Sequence, residues 1–176
     1  MSGSLLIAVG GLSFSGKSTL SLALAEYLGA EVIRSDAVRK ELVGVPLKQR
    51  APESAYLPQI SELVYATLTT RALDIIKEGR TVILDATFLR PQQRQAIESA
   101  AATDCVRFAG LWCYVDDATA RKRAALRVDD ISDADIGIYK KQLKQGLGMI
   151  SWYKIATDGD IQHLVQQAIS FLTTGV

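Results

Sequence analysis

The sequence predicts an α/β fold: a parallel sheet with helices on both faces. Three observations carry that reading. Strand-like apolar runs alternate with helical patterns along the whole chain. The strand-like runs are short and apolar throughout, as strands buried on both faces are. A glycine-rich segment, Gly11-Leu-Ser-Phe-Ser-Gly16-Lys17-Ser18, joins the first run to the first helical pattern. The 176 residues are 48% hydrophobic, enough for one core, so a single domain over 1–176 is expected.

The elements follow in order. Leu5–Val9 (LLIAV) is a buried strand stopped by Gly10-Gly11. A helix runs from Lys17 to about Leu28, with Leu20, Leu22, Ala23, Leu24 and Leu28 apolar and Gly29 as the stop. Glu31–Arg34 is a second strand, and a short helix follows to Leu42. Residues 43–57, with Gly44, Pro46 and Pro52, read as a loop. Ile60, Leu63, Val64, Leu68, Ile75 and Ile76 form the stripe of a long helix from Pro58 to Lys77. Thr81–Asp85 is the third strand, and Pro91 suits the first position of the next helix. Val106–Val115 holds the fourth strand and Asp117–Arg127 a helix. Ser132-x-x-Asp135 reads as a capping box for a helix to about Gly146. Lys154–Thr157 is an edge strand and Asp160–Leu172 the closing helix. Ligands of such sheets bind at the carboxyl ends of the strands, which directs attention to the residues after Val9, Arg34, Asp85 and Val115.

Composition excludes several classes of function. Twenty Lys and Arg against nineteen Asp and Glu leave a net charge of +1, which argues against a nucleic-acid coat. One histidine, His163, makes a His-cluster metal site or a Ser/His/Asp triad a poor fit and reads as a surface residue. Asparagine is absent, so there is no N-glycosylation acceptor. Cys105 and Cys113 form no C-x-x-C pair. Their even spacing on a strand predicts one shared face and two small buried hydrophobes in a reducing compartment. The longest apolar run, Leu5 to Leu12, is too short to span a bilayer. No Lys or Arg precedes Lys17, so the charged start of a signal peptide is missing and a cytoplasmic location is expected.

The glycine-rich segment is G-x-x-x-x-G-K-[ST] between a strand and a helix, the context the motif requires. Gly11 and Gly16 let consecutive N–H groups of Leu12, Ser13, Phe14 and Ser15 converge on one concavity. The helix opening at Lys17 adds the positive end of its dipole. Lys17 bridges the outer phosphates, Ser18 supplies a hydroxyl ligand for Mg²⁺, and Thr19 caps or packs. The segment Gly11–Thr19 therefore predicts ATP·Mg²⁺ binding. A small GTPase needs an Asn-Lys-x-Asp motif, impossible without Asn. An ABC-type ATPase needs a Glu after the strand-ending Asp, where Ala86-Thr87 stands. A compact phosphotransferase remains.

The stretches GLSFSGKST, RSDAVRKEL, VILDATFLRPQQR and RAALRVDDISDA, from Gly11 to Ala134, resemble the small P-loop kinases of the predicted ATP-binding kinase (AAA-33) group. That group is related to gluconate kinase, chloramphenicol phosphotransferase and polynucleotide 5′-hydroxyl kinase. The resemblance implies a five-stranded sheet of nucleoside-monophosphate-kinase type, order 2-3-1-4-5, and an arginine-bearing lid around 121–134. It implies a general base at Asp36, where a strand-end carboxylate can take the proton of an acceptor hydroxyl; capping the following helix is the alternative role. Asp85 either ligates Mg²⁺ or is a structural strand-end carboxylate.

Arg39 either holds the acceptor or pairs with Asp36. Arg94, ahead of its neighbour Arg90 by the resemblance, contacts the acceptor or lies on a solvated face. Arg127, then Arg123, serve the transferring phosphate from the lid, or belong to a basic helix balanced by Asp116, Asp117, Asp129 and Asp130. Trp152-Tyr153 lies where related kinases hold adenine, bounded by Thr157-Asp158-Gly159.

The function expected is ATP- and Mg²⁺-dependent phosphoryl transfer to a hydroxyl of a small molecule. A polynucleotide 5′-hydroxyl kinase and a non-catalytic ATP-binding module are the alternatives. Near-neutral charge and the lack of an appended phosphatase or ligase domain count against the first. The set Lys17, Asp36, Asp85 and Arg127 counts against the second. No motif in Val43–Leu57 names the acceptor.

Overall fold

The computed structural model describes residues 3–126 and 131–174. The elements are β1 (Leu5–Gly10), α1 (Lys17–Leu28), β2 (Glu31–Arg34), α2 (Ser35–Leu42), α3 (Pro58–Lys77), β3 (Val82–Asp85), α4 (Pro91–Thr103), β4 (Arg107–Tyr114), α5 (Asp117–Leu126), α6 (Ile136–Leu143), β5 (Tyr153–Ala156) and α7 (Ile161–Thr174), with a 3-10 turn at Glu53–Tyr56. The five strands run parallel in the order β2-β3-β1-β4-β5, as the family resemblance implies.

β1 is central, and its alternation divides the core. Leu6 and Ala8 join Val38 of α2, Val64, Leu68 and Ala72 of α3, and Ile97 and Ala101 of α4 on one face. Leu5, Ile7 and Val9 join Leu20 and Leu24 of α1 and Leu164, Val165, Ala168 and Leu172 of α7 on the other. A two-sided burial of this kind explains why the strands carry no polar alternation. A third, small cluster of Phe14, Ala120 and Tyr139 seats α5 and α6 against the glycine-rich loop. Among the described residues no helix is long and apolar enough to cross a membrane.

Several sequence expectations are corrected. Cys105 is not on β4: it is exposed, with φ 54, in the turn that closes α4, where Val106 N donates to Ala101 O at 2.8 Å. A left-handed residue ends the helix there, so the strand begins two residues later and only Cys113 is buried. Leu63 and Leu22 are exposed at 49% and 55%; the buried stripe of α3 runs instead through Val64, Leu68, Ala72, Ile75 and Ile76. The N-cap of α6 is Asp135, whose carboxylate accepts from Ile138 N at 2.9 Å, so Ser132-x-x-Asp135 is not a capping box. Trp152 is core, 6% exposed, with its indole N–H on Glu98 at 2.6 Å and its ring against Phe88. Tyr153 stacks on Phe171 at 4.4 Å. Neither is placed to hold a base.

Candidate nucleotide and phosphoryl-transfer site

The loop between β1 and α1 bends over the carboxyl ends of the strands. Gly16 caps α1 in the left-handed region at φ 84, and Gly11 has φ 139. A side chain at Gly11 would run into Ser15 Oγ, 2.6 Å from an added Cβ. Both glycines are therefore required by backbone shape and close approach. The loop is held from three sides. Gly11 N donates to Thr87 O at 3.1 Å. Ser13 N donates to Gln142 Oε1 of α6 at 2.8 Å. The Thr157 hydroxyl, after β5, bonds the Ser15 carbonyl. Lys17 Nζ reaches back to Leu12 O at 2.7 Å.

A cleft of about 430 Å³ opens on this loop. Ser13, Phe14, Gly16, Lys17, Ser18 and Thr19 form its floor; Asp36, Asp85 and Thr87 line one side; Arg123, Thr157, Gly159 and Ile161 line the other. Four elements thus bring the predicted Lys17, Ser18, Asp36, Asp85 and Arg123 to one cavity. Gly11, Leu12 and Ser15 lie behind it, and Leu12 and Ser15 border a separate, mostly apolar cavity of about 190 Å³ against β4. The N-cap of α2 is Arg34 and no side chain caps the helix, so Asp36 is not a cap.

Asp85 is 5% exposed at the end of β3. Burial raises its pKa, and the charge of Lys17, the Ser18 hydroxyl and the Arg34 guanidinium offset part of that rise. A buried carboxylate and a hydroxyl are hard oxygen donors, the set that suits Mg²⁺ when phosphate oxygens and water complete the octahedron. The residues present fit that ion.

Arg39 and Arg94 do not line the cleft. Arg39 is 8% exposed; its Nη1 donates to Ala55 O at 2.5 Å and to Ser61 Oγ at 3.3 Å, and its guanidinium lies over the Tyr56 ring. Arg94 is 3% exposed and gives its donors to the carbonyls of Phe88, Leu89, Leu147 and Met149. Arg90 is exposed. Arg123 donates to Phe14 O at 3.3 Å and Thr157 O at 2.5 Å, which ties α5 to the loop. Arg127, with Asp129 and Asp130, lies outside the described residues.

The sequence reading gave no role to Gln142 or Lys40, and named Thr157 only as a bound of the base region, not as the holder of the Ser15 carbonyl. Lys40 is 1% exposed, donates to Leu47 O at 2.9 Å and pairs with Asp133 at 2.9 Å. Asp133 also accepts from Ala51 N at 2.9 Å and from the Tyr56 hydroxyl at 2.8 Å. The 44–57 loop is thereby fastened to the segment before α6. Thr157 carried a signal in its place at the carboxyl end of a strand; Gln142 and Lys40 carried none.

Comparison with known proteins bears on the family and the fold. Residues 6–147 match the AAA_33 family, described as an AAA domain. Uncharacterised proteins of Mycobacterium bovis and Mycobacterium tuberculosis are 29% identical over 167 residues, 93% of this chain and 34% of theirs. The chain therefore spans about a third of the length of the curated relatives it matches. Similar solved folds include a putative kinase from Chloroflexus aurantiacus (18% identity, TM-score 0.75, all of both chains). A gluconokinase from Sinorhizobium meliloti is similar at 20% identity and TM-score 0.65, over 98% of this chain and 92% of that one. The Mycobacterium tuberculosis APS kinase, solved with AMPPNP and APS, is similar at 17% and 0.69, over 99% and 100%. The fold is that of the P-loop kinases.

Proposed function

We propose that this chain, which belongs to the AAA_33 family, is an ATP- and Mg²⁺-dependent kinase that transfers the γ-phosphoryl group to a hydroxyl of a small molecule. The observation that carries the reading is the convergence of Lys17, Ser18, Asp36 and Asp85 on one cleft above a complete phosphate loop. In it, the loop amides and Lys17 hold the phosphates. The acceptor oxygen bonds to the γ-phosphorus, the bond from that phosphorus to the bridging oxygen of ADP breaks, and the hydroxyl proton passes to the Asp36 carboxylate. Ser18 and Asp85 are the proposed ligands of Mg²⁺, which when bound supplies neutralisation of phosphate charge. Arg123, which lines the cleft while donating to Phe14 O and Thr157 O, is one proposed donor to the transferring phosphate, and Arg127 is the second. Binding of AMPPNP by the APS kinase of similar fold supports the nucleotide.

The test is transfer of label from γ-labelled ATP across sugars, nucleosides, antibiotics and 5′-hydroxyl oligonucleotides. One hydroxyl class should be labelled, and Lys17→Ala should abolish labelling in a folded protein. Label on the oligonucleotide alone would move the acceptor to a polynucleotide end. Hydrolysis or binding with no labelled acceptor would leave a non-catalytic module.

A further inference from the structure

We infer that Arg34 is a resident cation of the metal site, holding the two oxygens proposed for Mg²⁺, so that a divalent ion binds by exchange with the guanidinium. The inference rests on the proposed function and deepens it. The sheet itself builds the contact: Arg34 and Asp85 are Cα partners at the last register position of the parallel β2–β3 pair. From there Arg34 Nε lies 3.3 Å from Asp85 Oδ2, and Nη2 donates to Ser18 Oγ at 3.3 Å. The Ser18 hydroxyl and the Arg34 guanidinium both help to hold down the pKa that burial raises at Asp85. Arg34 thus bridges Ser18, which accepts from it, and Asp85, which pairs with it.

Both side chains proposed to hold a divalent ion are thus contacted by a group that stays charged at any working pH. The Arg34 and Asp85 side chains are only 16% and 5% exposed, so water screens their attraction weakly. Lys17 and Arg34 already face Asp85 and Asp36 here, two positive charges against two negative. Adding a divalent ion with Arg34 in place sets like charges against each other at one carboxylate; with Arg34 withdrawn it does not.

The same contacts are also what a plain staple of the sheet edge would make, and metal affinity separates the two. The experiment is titration of Mn²⁺, followed by electron paramagnetic resonance of the free ion, in the presence of saturating ADP. Arg34→Gln, checked for folding by circular dichroism, should bind Mn²⁺ at least tenfold tighter than the unsubstituted chain. Arg34→Lys, which keeps the charge, should stay within about threefold of it, on the scale of a retained neighbouring charge. Equal or weaker Mn²⁺ affinity in Arg34→Gln overturns the exchange and leaves a staple. If Arg34→Gln does not fold, Arg34→Met is read by the same criterion. Failure of the unsubstituted chain to bind ADP at all overturns the proposed function, and this inference with it.

Discussion

Asp85 ends β3 and Asp36 lies in the first turn of α2 just past β2, and the structure treats them differently. Asp85 is buried behind Lys17, Ser18 and Arg34, whereas Asp36 is half-buried on the open side of the cleft. Of the two, Asp36 is the more exposed, as the proposed base requires. Asp36→Asn should keep fold and ATP affinity and lower kcat by about 10²–10⁴, the range for loss of a general base; kcat with the identified acceptor checks this, and a loss below about tenfold would remove the base role. The cysteines diverge as sharply. Burial pushes the Cys113 thiol up to about 12, while Cys105 is exposed. A thiol reagent under native conditions should titrate one group quickly and the second only on unfolding. At this scale the sequence was legible where a residue's place is set by its own loop, as with Lys17 and Ser18, which line the cleft. It was not legible for Arg39 and Arg94. Their i, i+3 and i, i+4 spacings look like solvent or ligand contacts, but the carbonyls they serve return from loops up to 55 residues away.

The elements with the least sequence signal are the ones that tie the site together. The loop 44–57 has no periodicity, yet Lys40, Ala51 N and Tyr56 all converge on Asp133, and Arg50 pairs with Asp135 at the surface. Burial raises the pKa of Asp133, but the bonds from Ala51, Lys40 and Tyr56 together outweigh it and hold the carboxyl below its ordinary value. A depressed carboxylate stabilises the folded state above its unfolded pKa of about 3.9. That stabilisation is lost as pH falls through the lower, folded value. Amide exchange should therefore show Ala51 protected near neutrality and released in acid before the β1 amides. Asp133→Ala, which strands the buried Lys40 ammonium, should cost about 3 kcal/mol or more in denaturant unfolding. Element types and order were otherwise readable from periodicity and glycine stops, with boundaries within one or two residues for β1, α1, β2, α2 and α3. The α6 start failed because Ser132 and Asp135 both suit a cap, and only the backbone path decides which one is at the helix mouth.

For the molecule as a whole, the two faces of the sheet were predictable from the apolar strands, but the depth of Trp152 was not. Its ring lies over Gly110 of β4, where an added Cβ would overlap the indole, and reaches Gly10, where a Cβ would be 3.0 Å from it. Gly110→Ala should thus destabilise the protein by about 1–3 kcal/mol, as overpacking does. At roughly 2–4 °C per kcal/mol for a chain of this size, the fall in Tm is measurable by calorimetry. The indoles also label the molecule unevenly. Trp112 and Trp152 both belong to the cluster shared with α2, α3 and α4, and the cluster under α1 and α7 holds neither. Intrinsic emission is therefore a one-sided gauge. It reports the dissolution of a single hydrophobic layer, while far-ultraviolet dichroism averages over every helix. Superimposable melting curves from the two signals would mean that both layers dissolve in one cooperative step. An emission curve displaced from the dichroism curve would show one half of the sandwich outlasting the other.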